Sequence, residues 1–211
     1  MKTITIEGIK IEYYSRSEIY KNNNIPADDP YYVAYQIADP ISAQLHIPCP
    51  DIGYAPNLQQ PDYNTGLISI QCGKSYTTNV FPELTNNLIA ISTRFSDYEI
   101  LVGIIAHEMR HIWQQMYRPL INRYPAQGFL MSLKHPAEID ADGYAIYYMS
   151  QALSIDLEKA GKIICPEEHQ YYPRYYSMRQ KKATKIEKIM YEKSIKKSSV
   201  MYQILRFFHQ K

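Results

Sequence analysis

Apolar and polar residues alternate from Lys2 to Tyr14, with Ile4 and Ile6 before Glu7-Gly8 and Ile9, Ile11 and Tyr13 after it. A period of two puts successive side chains on opposite strand faces, so this segment predicts a hairpin turning at Glu7-Gly8. Pairing across that turn sets Ile6 opposite Ile9 and Ile4 opposite Ile11, all on one face. Residues 87–95, Asn-Leu-Ile-Ala-Ile-Ser-Thr-Arg-Phe, predict a further strand. A long apolar run follows, Ile100 to Ala106 and then Ile112-Trp113, and predicts a helix over 97–117 that stops before Pro119. Ser96 and Glu99 have capping-box spacing, and Asp97 in the first turn suits the helix dipole. A second helix is expected over 136–153, opened by Pro136 in its first turn. Residues 21–64 are rich in Asn, Asp and Pro and predict ordered loop around a short helix over 31–36. Residues 179–210 predict a long helix with Ile186, Ile189, Met190, Val200, Met201, Ile204, Leu205 and Phe208 near one stripe.

The first of these helices carries His107-Glu108-Met109-Arg110-His111. At 3.6 residues per turn, His107 and His111 lie one above the other on one face. Two imidazoles so placed can hold one Zn2+, and Glu108 is placed to take a proton from a water on that ion. Two histidines and a glutamate amid an apolar run would be costly to desolvate unless paired or bound to a metal. The bland alternative is an amphipathic helix with two surface histidines.

A catalytic zinc takes three protein ligands and keeps one position open. The second helix begins His135-Pro136-Ala137-Glu138-Ile139-Asp140-Ala141-Asp142. Glu138 and Asp142 are four apart and share a face. Glu138, Asp140, Asp142 and His135 are all candidates for the third ligand. A solvated acidic face is the alternative without a metal.

The pair of patterns, H-E-x-x-H and then E-x-x-x-D, resembles the gluzincin superfamily of zinc metallopeptidases. That resemblance implies a zincin-like fold, with His107, His111 and Glu138 as metal ligands. It makes Glu108 the general base and Asp142 the partner of the free ring nitrogen of His107. Glu138-Ile139-Asp140-Ala141-Asp142-Gly143-Tyr144-Ala145 also resembles the helix that follows H-E-x-x-H in ImmA/IrrE-type metallopeptidases. The resemblance covers about residues 96–153. Asp142 stands where that family often has Asn, and Arg110 occupies a position that is normally uncharged. In zincin folds the strand before the motif helix often forms the upper edge of the cleft, where a peptide can add as an extra strand. Residues 87–95 would be that edge. Tyr144, Tyr147, Tyr148 and His169 are candidate oxyanion donors.

Composition bounds the rest. A chain of 211 residues, 45% hydrophobic, can bury one core. Cys49, Cys72 and Cys165 are widely spaced and odd in number, which suits reduced buried thiols. No signal peptide and no run of eighteen apolar residues is evident, so a cytoplasmic location without a transmembrane segment is expected. The 21 tyrosines accompany plentiful Ile, Lys and Asn and read as compositional bias. Charge is uneven: residues 174–211 carry a net of +9, and residues 1–173 a net of −7. The expected organisation is a metallopeptidase domain over 1–173 and a basic helical extension over 174–211, docked on that domain. The expected fold class is α+β: a small sheet, an active-site helix, a ligand-bearing helix and the basic C-terminal segment. A protein or peptide substrate follows from the zinc reading. The alternatives are a zinc-site module binding nucleic acid or another partner through the basic segment, or an inactive relic. The proline-rich stretch 40–64 is expected to lie over the cleft as a lid.

Overall fold

The structure, a computed structural model, describes residues 1–22, 25–56, 58–61, 68–70, 72–122 and 133–208; of 59–61, 68–70 and 197–208 only the backbone is described. Strands β1 (Lys2–Ile6) and β2 (Ile9–Tyr14) form the expected hairpin, with Ile6 opposite Ile9 and Ile4 opposite Ile11. Glu7 and Gly8 turn it with φ of 52° and 77°. Two successive left-handed residues match the right-handed twist of the strands, and glycine at the second removes the Cβ clash. Ile6 and Ile11 are buried with Ile4 and Ile9 packed on them, so the alternation does define the inner face.

The sheet continues β2, β3 (Asp51–Ala55), β7 (Leu88–Ser92), β6 (Gly73–Tyr76). The β3–β7 pair is parallel and the others are antiparallel. A separate hairpin joins β4 (Gln59–Pro61) to β5 (Ile68–Ile70). The strand expected at the cleft edge is therefore interior: β7 lies between β3 and β6, and all five of its residues are buried. Its sequence, Leu-Ile-Ala-Ile-Ser, lacks alternation, as befits a strand covered on both faces. The edge next to the motif helix is β6.

Helix α1 (Arg16–Lys21) is followed by α2 (Pro30–Leu45), much longer than the turn expected over 31–36. Asp29 caps α2 by accepting from the Tyr31 and Tyr32 amides. Pro40 lies inside the helix, where its missing amide and ring are unfavourable. Burial of Ala34, Tyr35, Ile37, Ala38, Ile41 and Leu45 along one stripe outweighs that cost. The stretch 40–56 is thus the end of α2, a short connection and β3, rather than a lid. Residues 57 and 62–64 of that proposed lid lie outside the described residues.

Helix α3 (Tyr98–Tyr117) is capped by Asp97, whose carboxylate accepts from the Glu99 and Ile100 amides at 3.0 and 3.3 Å. The cap is one residue later than the Ser96 box predicted, because the carboxylate of Asp97 serves the amides itself. After a 3-10 turn (Pro119–Asn122) come α4 (Pro136–Leu153), α5 (Leu157–Ile164), α6 (Pro166–Tyr171) and α7 (Pro173–Phe208). The result is a mixed α+β chain: one five-stranded sheet with α3 against it and α4 packed on α3.

The start of α7 belongs to the same core. Arg179, Ala183 and Ile186 are buried, and Ala183 and Ile186 join the cluster built by α2, α3 and α4. Ile189, assigned to the apolar stripe, is 41% exposed, and Tyr191 and Ile195 are exposed too. The side chains of Val200, Met201, Ile204, Leu205 and Phe208 lie outside those described. Among the described residues no helix is long and apolar enough to cross a membrane. Gly143 sets the approach of α7 to α4: a Cβ there would lie 2.7 Å from Lys182 Cβ and 3.3 Å from the Ala183 amide nitrogen. Gly143→Leu is therefore expected to lower stability by about 1–3 kcal/mol, as overpacking does. A fall in the urea midpoint at unchanged slope would show it, and an unchanged midpoint would count against this packing.

Candidate metal centre

The apolar periodicity of α3 turns His107, Glu108 and His111 inward, and Pro136 starts α4 so that Glu138 faces them. Ligand atoms of His107, His111 and Glu138 all lie within 4.8 Å of one another. His107 Nε2 is 2.9 Å from His111 Nε2, and the Glu138 carboxylate lies 3.4 Å from the first and 3.5 Å from the second.

The opposite ring nitrogens decide what those contacts mean. His107 Nδ1 is 2.8 Å from Asp142 Oδ1, and His111 Nδ1 is 2.9 Å from Gln114 Oε1. Both partners present acceptor oxygens, so both Nδ1 atoms carry the proton and each neutral imidazole is left with a bare Nε2. Two lone pairs and a carboxylate converging within hydrogen-bond distance repel unless a cation lies between them. A shared proton or a metal ion meets that need. Without a metal, the electrostatics of the cluster favour an added proton. Burial lowers the basicity of both histidines, but Asp142 raises His107 well above its usual range and Glu138 raises His111. Burial would raise Glu138, but the two imidazoles hold it well below the usual carboxylate range. Two imidazoles and one carboxylate are a donor set suited to Zn2+, and a hydrogen-bond acceptor behind each ring fixes ring orientation in metal sites.

Glu108 is buried at 7% exposure, beside the edge strand. Gly73 is what lets β6 come so close: a Cβ at that position would lie 2.7 Å from Ile104 Cγ2 and 3.3 Å from Glu108 Oε1. The carboxylate thus sits between α3 and the strand edge, near both histidines.

The remaining candidates resolve differently. His135 caps α4, its Nδ1 accepting from the Ala137 amide, and does not join the cluster. Asp142 holds His107 rather than the metal position. Asp140 faces Arg110, which the sequence left unexplained: Arg110 Nε and Nη2 donate to its carboxylate at 2.8 and 3.3 Å, and the guanidinium lies 3.7 Å from the Trp113 ring centre. Lys182 Nζ is 2.6 Å from the same carboxylate. The four suggested oxyanion donors each have contacts of their own. The Tyr144 hydroxyl donates to Gln44, Tyr148 stacks on Tyr144, Tyr147 is buried in the core, and the His169 ring packs on Tyr176. The thiols also depart in part from expectation, since Cys72 is exposed while Cys165 is buried.

Two groups were missed. Gln114 is fully buried and donates to the Ala137 carbonyl and Asp140 as it accepts from His111. Its spacing, three residues after His111 and seven after His107, was a usable signal. Arg179, from the basic segment, reaches Asp142 at 2.8 Å and Glu168 at 2.7 Å. Burial pushes the Glu168 carboxyl up to about 7, against the lowering effect of Arg179.

Comparison of the chain with protein-family models, curated proteins and solved structures finds no match.

Burial raises the Asp140 carboxyl, but Arg110 and Lys182 outweigh it and hold the group down at about 2. A depressed folded value means its ion pairs stabilise the fold above the ordinary 3.8 and lose that effect as pH falls toward 2. Asp140→Asn is expected to lower stability at neutral pH and to flatten the loss between about pH 4 and 2. Unfolding midpoints across pH, with parallel acid limbs for the two proteins, would refute the assignment.

Proposed function

We propose that this chain is a zinc-dependent metallopeptidase with a zincin-like architecture, built on the gluzincin plan that its motifs resemble. The observation that carries the reading is the convergence of two bare imidazole nitrogens and the Glu138 carboxylate, each ring fixed from behind by Asp142 or Gln114. That arrangement suits a divalent ion better than a shared proton, because it places three donors at one point. Bound there, Zn2+ would bring a water toward neutral pKa and polarise a carbonyl.

The chain's own residues supply the rest. His107, His111 and Glu138 hold the ion. Glu108 accepts the proton from the attacking water as the C–O bond forms, then delivers it to the leaving amine as the C–N bond breaks. The β6 edge beside Glu108 offers a row of backbone donors and acceptors, to which an extended peptide can add as a strand with little dependence on its sequence. A cytoplasmic setting fits the absence of a membrane-spanning helix among the described residues.

Glu108→Gln keeps the shape and removes the base. It is expected to lower hydrolysis of an unfolded protein substrate by roughly 10²–10⁴-fold with the metal content unchanged. Retained hydrolysis in a zinc-loaded variant would refute this mechanism. Removing the metal from the wild type with a chelator is expected to abolish activity and lower the melting temperature, both restored by Zn2+. No change on chelation would refute the metal site.

A further inference from the structure

Behind Asp142 lies a second convergence of groups, apart from the three metal donors. Asp142, Cys165 and Glu168 bring ligand-type atoms within 4.8 Å of one another, an arrangement that on spacing alone resembles another cation site. A cation of the protein's own is already there. Arg179, from α7, is 1% exposed. Its Nε donates to Asp142 Oδ2 at 2.8 Å, and its Nη1 donates to the carbonyls of Leu133 and Tyr175 at 3.1 and 3.4 Å. The same Nε lies 2.7 Å from Glu168 Oε2, a buried oxygen with no aligned donor among the described residues. The single Nε–H is thus committed to Asp142, and Glu168 lies beside the guanidinium.

The two oxygens of Asp142 are divided between these roles, Oδ1 on His107 Nδ1 and Oδ2 on Arg179 Nε. A carboxylate held at one oxygen by a fixed guanidinium cannot turn away from the imidazole at the other. We propose that Arg179 is a positioning residue for the metal centre, acting through Asp142 to fix the orientation and tautomer of His107. The basic segment is thereby part of the site, and the Asp142, Cys165 and Glu168 group is the seat of Arg179 rather than a second metal centre. His111 has the parallel device, in which Asp140, paired with Arg110 and Lys182, accepts from Gln114 and aims its amide oxygen at the ring.

The inference rests on the metal reading proposed above, and its test separates the two. Zn2+ affinity is measured on the full chain by competition with a chromogenic chelator, for wild type, Arg179→Met, Asp142→Asn and the double variant. Arg179→Met is expected to weaken binding by roughly 10- to 100-fold, the range seen when an outer partner of a ligand is removed. In the Asp142→Asn background the same change is expected to have little further effect, since the two act in series. Equal affinity in Arg179→Met and wild type, or losses that multiply independently, would overturn the proposal. If Arg179→Met does not fold, Arg179→Lys serves instead, keeping the charge and losing the planar fork, with a smaller loss expected. If the wild type binds no Zn2+, the metal reading fails. The positioning role is then read from nitrogen chemical shifts of the His107 ring in 15N-histidine-labelled protein. Those shifts are expected to show a protonated, strongly hydrogen-bonded Nδ1 in wild type and a weakened Nδ1 hydrogen bond in Arg179→Met. Identical shifts in the two proteins would overturn it.

Discussion

Two imidazoles whose Nδ1 hydrogens are both committed converge with a carboxylate on one point, and that point calls for a cation, either a shared proton or a metal ion. A lone-pair contact at 2.9 Å, reinforced by a carboxylate, does not persist in a packed interior on its own. Each ring is also held from behind: His107 by Asp142 and Arg179, His111 by Gln114 and Asp140. The tight packing of α4 on both α3 and α7 follows from the same demand, since Asp140 and Asp142 on α4 face guanidinium groups on each side. Buried carboxylates and guanidinium groups stand within hydrogen-bond distance here, which is the condition for tolerating charge away from water.

How much was legible in the sequence depended on the range of the interaction. The hairpin over β1 and β2, the motif helix and the α4 helix were legible because alternation, helical spacing and Pro136 act within a few residues. His107, His111, Glu138 and Asp142 were legible for the same reason, as each pair sits one turn apart on one helix. The length of α2 was hidden by Pro40, because the burial that offsets the proline comes from distant partners. The place of β7 was hidden as well: an apolar strand reads alike beside one neighbour or two until β6 is seen to cover its far side.

Arg179 and the four tyrosine and histidine candidates show the limit on side-chain chemistry. Nothing near Arg179 in the chain marks it apart from the lysines around it, and its partners are 37 and 11 residues away in sequence. Tyr144, Tyr147 and Tyr148 share a helix with Glu138, and their rings are taken up in or against the core. Arg110, a departure from the expected motif, ties α3 to α4 at the carboxylate that also accepts from Gln114.

The burial of Arg179 has a consequence for the order in which the molecule is made. During synthesis α3 and α4 emerge well before α7, and domains fold as their segments become available. Until the stretch bearing Arg179 arrives, Asp142 lacks the guanidinium that holds its Oδ2, and α4 has α3 and α5 but not α7 to pack on. A chain interrupted before Arg179 would therefore carry both motif helices and still lack the guanidinium that faces Asp142.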